Sequence, residues 1–238
     1  MSYQSNIPKA VLFDLDGTLV DTAPDLARAT NALRKEHGLS PLHYDDIRRQ
    51  VSHGGSALVT LALGLENKAA GHDEARTLLL EHYGKNVAEE SCLFEGFSDV
   101  LDYYRSTGRA WGIITNKPRE YAVPLLKALN IEPDVLLCAD DLPVKKPDPA
   151  PLLEAAKRLD VDPQQCWYIG DHLRDIQAAN NAGMTAIAVK YGYLRKEDNP
   201  NDWPASQFFE TPEALCRVLL QQSTGEAVNK SVGHDIGQ

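Results

Sequence analysis

The sequence predicts an α/β fold in which a small all-helical cap is inserted into a doubly wound parallel sheet. Three observations support this prediction. The run Ala10–Phe13 is apolar without polar alternation, as in strands that are covered on both faces. Strand-like and helical segments alternate after Phe97, and parallel neighbours require such crossover connections. Residues 22–90 show helical spacing of apolar residues and no strand-like run.

The later elements follow from the same two periodicities. Short apolar runs predict four further strands, at Ala110–Ile114, Val135–Cys138, Cys166–Ile169 and Thr185–Val189. Apolar residues three or four positions apart predict the helices between them, at Ala122–Leu129, Ala150–Leu159 and Asp175–Ala182.

These patterns divide the chain into a core, a cap and a tail. Residues 1–21 and 91–222 form the predicted core, because the strand-like runs are confined to them. Residues 22–90 leave the sheet after its first strand and return near Leu93, so we expect a cap over the carboxyl end of that strand, with hinges at both junctions. Residues 223–238 lack apolar periodicity, which predicts a disordered tail.

Composition narrows the partners and the compartment. The 24 basic and 34 acidic residues give a net charge of −10, which argues against binding to nucleic acid or to an anionic membrane. The four cysteines show no CxxC spacing, so we expect small buried apolar residues rather than a zinc site or disulfides. No apolar run approaches about 18 residues, and the N-terminus has no apolar core, which favours a cytoplasmic protein.

The first strand ends in two carboxylates. Asp14 and Asp16 are two positions apart in an extended chain, so they project to the same side, at the strand end where open α/β sheets bind ligands. One carboxylate can attack, its neighbour can transfer a proton, and both can help to bind a divalent cation. A helix-capping turn is the alternative interpretation, since Asp, Gly and Thr are common there.

Other strand ends bear groups of complementary chemistry. Thr115 and Asn116 offer a hydroxyl and amides for phosphate oxygens, and Lys146 can neutralise a phosphate. Asp171 can complete the oxygen shell of a cation. We expect these groups to form one site, because the carboxyl ends of parallel strands meet at one edge of the sheet.

Taken in order, these motifs resemble those of the haloacid dehalogenase superfamily of phosphatases, over about Lys9 to Leu220. The matching motifs are Asp14-Leu15-Asp16-Gly17-Thr18, Thr115, Lys146 before a proline, and Gly170-Asp171 with Asp175. The resemblance implies a Rossmann-like core with a helical cap. It also implies Mg²⁺-dependent hydrolysis of a small phosphorylated metabolite through an aspartyl-phosphate.

The resemblance assigns roles around the first strand. Asp14 would be the nucleophile, and Asp16 would protonate the leaving oxygen and later deprotonate the attacking water. The Asp14 carboxylate, the Asp16 backbone carbonyl and Asp171 would bind Mg²⁺. Thr18 would contribute to substrate binding and hold Asp16 in its acid/base geometry.

Roles also follow for the other strand ends. Thr115, the Asn116 amide and Lys146 would bind the transferring phosphoryl group. Asp175 would position Lys146 or a metal-bound water. His172 departs from the small hydroxyl residue of many relatives, and its hydrogen bonding stays open.

Two branches of the superfamily compete for the substrate. Phosphoglycolate phosphatases are similar in Thr115-Asn116-Lys117-Pro118 and Tyr191-Gly192-Tyr193. Bacterial N-acetylmuramic acid 6-phosphate phosphatases, which act in cell-wall sugar recycling, are similar in further segments, namely Leu93-Phe94-Glu95-Gly96, Trp111-Gly112, Glu197-Asp198-Asn199-Pro200-Asn201 and Trp203. We rank N-acetylmuramic acid 6-phosphate ahead of phosphoglycolate. A sugar phosphate mutase and a non-catalytic phosphosugar sensor remain alternatives.

Four residues outside the motifs bear on the substrate. Gly54 and Gly55 either allow the backbone to approach an anion or form a plain turn between helices. An amino sugar with a lactyl carboxylate needs a basic contact. Lys117 or Arg119 is a candidate, and either is equally interpretable as a solvated surface cation.

Overall fold

The computed structural model describes residues 7–221, so the predicted tail, residues 223–238, lies outside the described residues. In chain order, the strands are β1 (Ala10–Phe13), β2 (Val20–Asp21), β3 (Cys92–Leu93), β4 (Ala110–Ile114), β5 (Val135–Leu137), β6 (Cys166–Gly170), β7 (Thr185–Val189) and β8 (Gln207–Phe209). The helices are α1 (Ala23–Glu36), α2 (Tyr44–Arg48), α3 (Gly54–Leu63), α4 (His72–Lys85), α5 (Phe97–Thr107), α6 (Arg119–Ala128), α7 (Ala150–Arg158), α8 (Leu173–Asn181) and α9 (Pro212–Gln221).

Six strands form one sheet in the order β5-β4-β1-β6-β7-β8, and every neighbouring pair is parallel. This arrangement confirms the predicted doubly wound α/β fold. All five predicted strands are present, although β5 ends at Leu137 rather than Cys138. The sequence patterns missed β8, which has only three residues, all of them half-buried.

Helices cover both faces of the sheet, as the unbroken apolar run of β1 requires. Val11 and Phe13 belong to one apolar cluster, which includes side chains of α5, α6 and α9. Ala10 and Leu12 belong to the other, which includes side chains of α7 and α8. All four strand residues are fully buried, and burial of a large apolar side chain such as Phe13 stabilises a fold by about 1.5–3 kcal/mol.

Helices α1 to α4 pack against one another between β2 and β3. These two short strands pair antiparallel, with Val20 opposite Leu93 and Asp21 opposite Cys92. The pair therefore joins the two points at which the chain leaves the core and returns to it. We call residues 22–90 the cap, and its division from the core as a domain stays a prediction.

The burial of the cysteines and the character of the helices can be compared with the expectations from composition. Cys138, Cys166 and Cys216 are buried, but Cys92 is exposed, so the expectation of burial is wrong for Cys92, which lies on the short β3 outside the main sheet. Within residues 7–221, no helix combines the length and the apolar character needed to span a membrane.

Candidate active site

Asp14 and Lys146 form an ion pair at the end of β1. The Nζ atom of Lys146 lies 2.9 Å from Oδ1 of Asp14, and both side chains are almost fully buried. The backbone amide of Leu15 also donates to this oxygen, at 2.7 Å. Burial raises the pKa of Asp14 to about 6, although the Lys146 charge acts in the opposite direction. The site therefore holds a carboxylate whose charge the protein only partly compensates.

Three acceptors surround the ammonium group of Lys146. Besides Asp14, they are Oδ1 of Asp175 at 2.8 Å and the hydroxyl oxygen of Tyr168 at 2.6 Å. The Tyr168 hydroxyl in turn donates to the carbonyl of Ile114, the last residue of β4, at 2.8 Å. The ammonium group thus donates a hydrogen bond to Tyr168 and forms ion pairs with two carboxylates, which places its charge beside Asp14.

Asp171 follows β6 and is fully buried. Its Oδ2 accepts hydrogen bonds from the Ser52 hydroxyl and the Tyr193 backbone amide, both at 2.8 Å. Burial, and then the charges of Asp14 and Asp175, raise the pKa of Asp171 to about 7.

Two glycines allow the neighbouring backbone to approach Asp171. A Cβ at Gly192 would lie 2.3 Å from the Asp171 Cβ, and a Cβ at Gly17 would lie 2.3 Å from its Oδ2. Gly17 also has a φ of +82°, a conformation that residues with a Cβ rarely adopt. The glycine of the first motif is therefore needed both for its turn and for the space beside Asp171.

The carboxylates of Asp14, Asp171 and Asp175 form an acidic cluster, in which one oxygen of each lies within 4.8 Å of the others. Asp175 is already paired with Lys146. Oδ1 of Asp175 and Oδ1 of Asp171 are both buried without a hydrogen bond in the described part of the chain, but Asp171 has no ion pair there either. An unpartnered carboxylate oxygen close to a second carboxylate fits a hard divalent cation such as Mg²⁺, which prefers oxygen ligands.

Two donors hold the carboxylate of Asp16. Its Oδ1 accepts from the Thr22 hydroxyl at 2.6 Å and from Nζ of Lys117 at 2.8 Å. The prediction that Thr18 holds Asp16 is therefore wrong. The Thr18 hydroxyl is buried and has no hydrogen-bond partner among the described residues. The chain turns after Asp16 so that Asp16 pairs with Val20, and this turn brings the side chain of Thr22, rather than that of Thr18, to the Asp16 carboxylate.

Thr115 and Asn116 lie at the end of β4, as predicted. The Thr115 hydroxyl oxygen accepts from the Lys117 backbone amide at 3.1 Å, and the Asn116 side chain donates to the Lys146 carbonyl at 3.0 Å. Both residues line the same cavity as Asp14. The structure therefore brings three strand ends together at one place.

The two basic residues proposed for a substrate carboxylate each pair with a carboxylate of the protein, Lys117 with Asp16 inside the cavity and Arg119 with Asp141. Burial alone would lower the pKa of Lys117, but the charge of Asp16 and the nearby Tyr83 raise it above its ordinary value. Arg119 donates from Nε to Asp141 at 2.6 Å, contacts it again through a second nitrogen and does not line the cavity. The structure therefore does not place Arg119 at the cavity, although the sequence assigned it to substrate binding, because its guanidinium group forms an ion pair with Asp141.

A cavity of about 270 Å³ lies between these strand ends and the cap. Asp14 and Asp16 line its core side, and the predicted residues Gly54 and Gly55, at the start of α3, line its cap side. Lys145, the neighbour of Lys146, also lines the cavity but is exposed. The arginines of this cavity, which sequence reasoning did not single out, are Arg76 and Arg174.

Cap and core also meet beside Asp171. Arg48 of α2 donates to the backbone carbonyls of Tyr191 at 2.9 Å and Gly192 at 3.0 Å, and its guanidinium lies over the Tyr193 ring. The Tyr191-Gly192-Tyr193 segment, which the sequence singled out without a chemical role, therefore contacts both the cap and the acidic cluster.

His172 is a helix cap. Its Nδ1 accepts from the Arg174 amide at 3.2 Å, and its own amide donates to Oδ2 of Asp175 at 3.1 Å. Its ring packs edge-on against His53 of the cap, with centroids 4.8 Å apart. Burial and the Arg174 charge lower the pKa of His172 to about 4, so the ring is neutral at neutral pH. Because His172 caps the start of α8, the Asp171 side chain is not needed as the helix cap and can make other contacts.

Comparison with known proteins agrees with this geometry. The family model described as haloacid dehalogenase-like hydrolase matches residues 11–189. An N-acetylmuramic acid 6-phosphate phosphatase of Pseudomonas aeruginosa is 41% identical over 213 residues, which are 89% of this chain and 94% of the relative. A phosphoglycolate phosphatase of Xylella fastidiosa is 38% identical over 219 residues, with coverages of 91% and 95%.

A solved structure of a predicted phosphoglycolate phosphatase from Haemophilus somnus superposes with a TM-score of 0.78 at 25% identity, over 90% of this chain and 99% of that one. The match to the family model and the two relatives confirm the resemblance that the sequence motifs indicated. The chain belongs to the haloacid dehalogenase-like hydrolases and is a phosphatase.

Proposed function

We propose that this phosphatase hydrolyses N-acetylmuramic acid 6-phosphate through a covalent aspartyl-phosphate, with Mg²⁺ as cofactor. The observation that supports the chemistry is the convergence of three strand ends, with Lys146 2.9 Å from Asp14 and Asp171 in the same acidic cluster. A nucleophilic carboxylate needs adjacent positive charge, since the phosphate that it must attack is itself an anion.

In the first half of the proposed reaction, an Asp14 oxygen attacks phosphorus in line with the sugar oxygen. The new bond joins that carboxylate oxygen to phosphorus, the phosphorus–sugar oxygen bond breaks, and Asp16 gives its proton to the departing oxygen. Thr115, Asn116 and Lys146 bind the oxygens of the transferring group. Two hydrogen bonds hold Asp16 in place, one from Lys117, which follows β4, and one from Thr22, the first residue of the cap.

In the second half, Asp16 takes a proton from water, whose oxygen attacks phosphorus. The bond between Asp14 and phosphorus then breaks, so that inorganic phosphate leaves and the carboxylate is regenerated. The carboxylates of Asp14 and Asp171, with the Asp16 carbonyl that the resemblance assigns, would hold Mg²⁺. When bound, the ion would neutralise charge on the phosphate and on the acidic cluster.

Support for the substrate comes from the relatives and from the cavity. The Pseudomonas aeruginosa relative is named for N-acetylmuramic acid 6-phosphate, and the cavity of about 270 Å³ has apolar as well as charged lining residues, as a sugar requires. Phosphoglycolate is the second candidate, because the Xylella fastidiosa relative is named for it at only slightly lower identity. We further propose that residues 22–90 act as a cap that closes on the bound ester.

The test is a kcat/KM panel on N-acetylmuramic acid 6-phosphate, phosphoglycolate, glucosamine 6-phosphate and β-glucose 1-phosphate. We expect the first to have the highest value, and EDTA to abolish hydrolysis of p-nitrophenyl phosphate in the same preparation. A higher kcat/KM for phosphoglycolate would reject the proposed substrate and leave the chemistry standing. An isomerised sugar phosphate as product would indicate a mutase, and lack of hydrolysis of every ester would favour a sensor.

A further inference from the structure

One face of α4 forms a wall of the cavity. Arg76, Leu80 and Tyr83 line the cavity, and Gly84 faces Tyr121 of α6, so that a Cβ at Gly84 would lie 3.2 Å from the Tyr121 ring. These four positions of α4 are spaced i, i+4, i+7 and i+8, which places them on one side of a helix. Arg76 is therefore directed towards the cavity by the same helical face that packs against the core.

Arg76 is a cation without a carboxylate partner. Arg76 is exposed, and within residues 7–221 no acidic side chain lies at ion-pair distance from its guanidinium, whereas Lys117 pairs with Asp16 and Lys146 pairs with Asp14. Arg174, the other arginine of the cavity, has no ion pair among these residues either, but it donates to the Ser52 carbonyl. The Nε of Arg76 lies 3.6 Å from the position that a Cβ on Gly55 would occupy. Gly55 and the Arg76 side chain are therefore neighbours on the cap side of the cavity.

Arg76 and Tyr83 lie two turns apart on the face of α4 that lines the cavity. Tyr83 is the one close to Asp16, because the Lys117 ammonium lies between them. This ammonium is 4.6 Å from the centre of the Tyr83 ring and 2.8 Å from Oδ1 of Asp16. Arg76 and Tyr83 are seven positions apart, which corresponds to a rise of about 10 Å along the helix axis at 1.5 Å per residue. Leu80 lies between them and offers an apolar surface.

We propose that Arg76 binds a carboxylate of the substrate that is separated from the phosphate by a sugar ring. This inference rests on the proposed function and names the chemical group by which the site selects its ester. An arginine fork matches a carboxylate in a bidentate pair, and its charge attracts an anion locally although the whole chain is acidic.

The two candidate substrates differ in the separation between carboxylate and phosphate. In phosphoglycolate, a single carbon stands between the carboxylate and the ester oxygen, so we expect its carboxylate to stay close to Asp14 when its phosphate is bound there. In N-acetylmuramic acid 6-phosphate, the lactyl group is attached to O3 and the phosphate to O6, so three ring carbons and the C6 methylene lie between these two oxygens. The second substrate therefore has the larger separation between its two anionic groups, as a contact of one with Asp14 and of the other with Arg76 requires.

The experiment compares two esters that differ only in the lactyl group, N-acetylmuramic acid 6-phosphate and N-acetylglucosamine 6-phosphate. We expect Arg76→Gln to lower the ratio of their kcat/KM values by about 10- to 100-fold, the effect of one lost charged hydrogen-bond pair. The loss should appear as a higher KM for the lactyl substrate rather than a lower kcat. Arg76→Lys, which keeps the charge, should recover part of the ratio.

Lys85→Gln is the matched control, because it removes one positive charge from the same helix at an exposed position that does not line the cavity. It should keep the wild-type ratio. An unchanged ratio in Arg76→Gln, or a wild type that does not prefer the lactyl substrate, would overturn the role of Arg76. A wild type that hydrolyses phosphoglycolate but neither sugar phosphate would instead reject the proposed substrate itself.

Discussion

The Ser52 hydroxyl donates to Oδ2 of Asp171 at 2.8 Å, so a residue of the cap holds a carboxylate of the core. The Tyr193 amide donates to the same oxygen, and the Tyr193 hydroxyl contacts both the Asp21 carboxylate and the Thr22 amide where the cap begins. The orientation of Asp171 is therefore coupled to the position of the cap. Its other oxygen, Oδ1, is left for a cation.

Ser52→Ala should weaken the proposed Mg²⁺ site. Removing one of the two donors that orient Asp171 is expected to raise the Mg²⁺ concentration for half-maximal activity by about 10-fold, as for other partners of metal ligands. A Mg²⁺ titration of p-nitrophenyl phosphate hydrolysis measures this. Ser106→Ala removes an exposed hydroxyl on α5 and should leave the titration unchanged. Identical titrations for Ser52→Ala and wild type would contradict the coupling.

Asp14→Asn should reduce turnover of every ester by more than about 10³-fold, because the proposed nucleophile is lost. The same change should raise Tm in EDTA at pH 8, since burial opposes ionisation of Asp14 and the neutral amide relieves that cost. Steady-state kinetics and a thermal melt of the same sample test both effects. Substantial remaining turnover would reject covalent catalysis at this position.

The stabilising effect of Mg²⁺ should depend on pH. Burial raises the pKa of Asp14 to about 6 and that of Asp171 to about 7, from an ordinary 3.8. Between the ordinary pKa of 3.8 and the raised pKa values, the folded metal-free protein binds more protons than the unfolded chain. These two groups therefore make the free energy of unfolding fall as pH rises through this range. Mg²⁺ requires ionised carboxylates, and it should therefore raise Tm more at pH 8 than at pH 5.

Thermal melts in EDTA and in Mg²⁺ at the two pH values provide the measurement. Asp171→Asn should remove most of the Mg²⁺-dependent increase at pH 8, because the unpartnered Oδ1 of Asp171 is part of the proposed site. An equal increase in Tm at both pH values would show that these carboxylates are not the ones that bind the ion.

Asp25→Asn should destabilise the junction between cap and core by roughly 2–4 kcal/mol. Burial alone would raise the pKa of Asp25, but hydrogen bonds from Arg28, Ser91 and Glu90 lower it below its ordinary value. This stabilisation is present above the unfolded pKa and is lost as pH falls through the folded pKa.

Urea unfolding at pH 7 measures the effect of Asp25→Asn. Asp102→Asn is the control, because Asp102 forms an exposed pair with Arg105 on α5 and should cost less than about 0.5 kcal/mol. Equal losses in the two variants would show that Asp25 contributes no more than a surface ion pair.

Local patterns were sufficient for the main elements of the sheet and insufficient for contacts that depend on a turn. The strand ends at Asp14, Thr115 and Asp171 could be predicted, because an apolar run followed by a polar residue marks the end of a buried strand. Thr18 and Thr22 are both hydroxyl residues close to Asp16 in sequence. Which of them reaches the carboxylate depends on the turn at Gly17 and on the pairing of β2 with β3.

The roles of the basic residues likewise depend on contacts that local patterns do not show. Arg119 looked available from its place after β4, but Asp141, 22 residues later, forms an ion pair with it. Arg76 gave no signal in the sequence, since a single arginine on an amphipathic helix is usually a solvated residue. Its position in the cavity depends on how α4 packs against α3 and α6.

By itself, the sequence determined the parallel sheet, the helical insertion and the family, because buried strand runs, helical periodicity and short motifs are properties of neighbouring residues. Tertiary structure alone decided which donor holds each carboxylate, since Thr22, Ser52 and Tyr193 reach Asp16 or Asp171 only after distant segments pack together. It also decided which cations stay unpaired. The physical reason is that hydrogen bonds and ion pairs depend on distances of a few ångströms, which close packing of the whole chain sets.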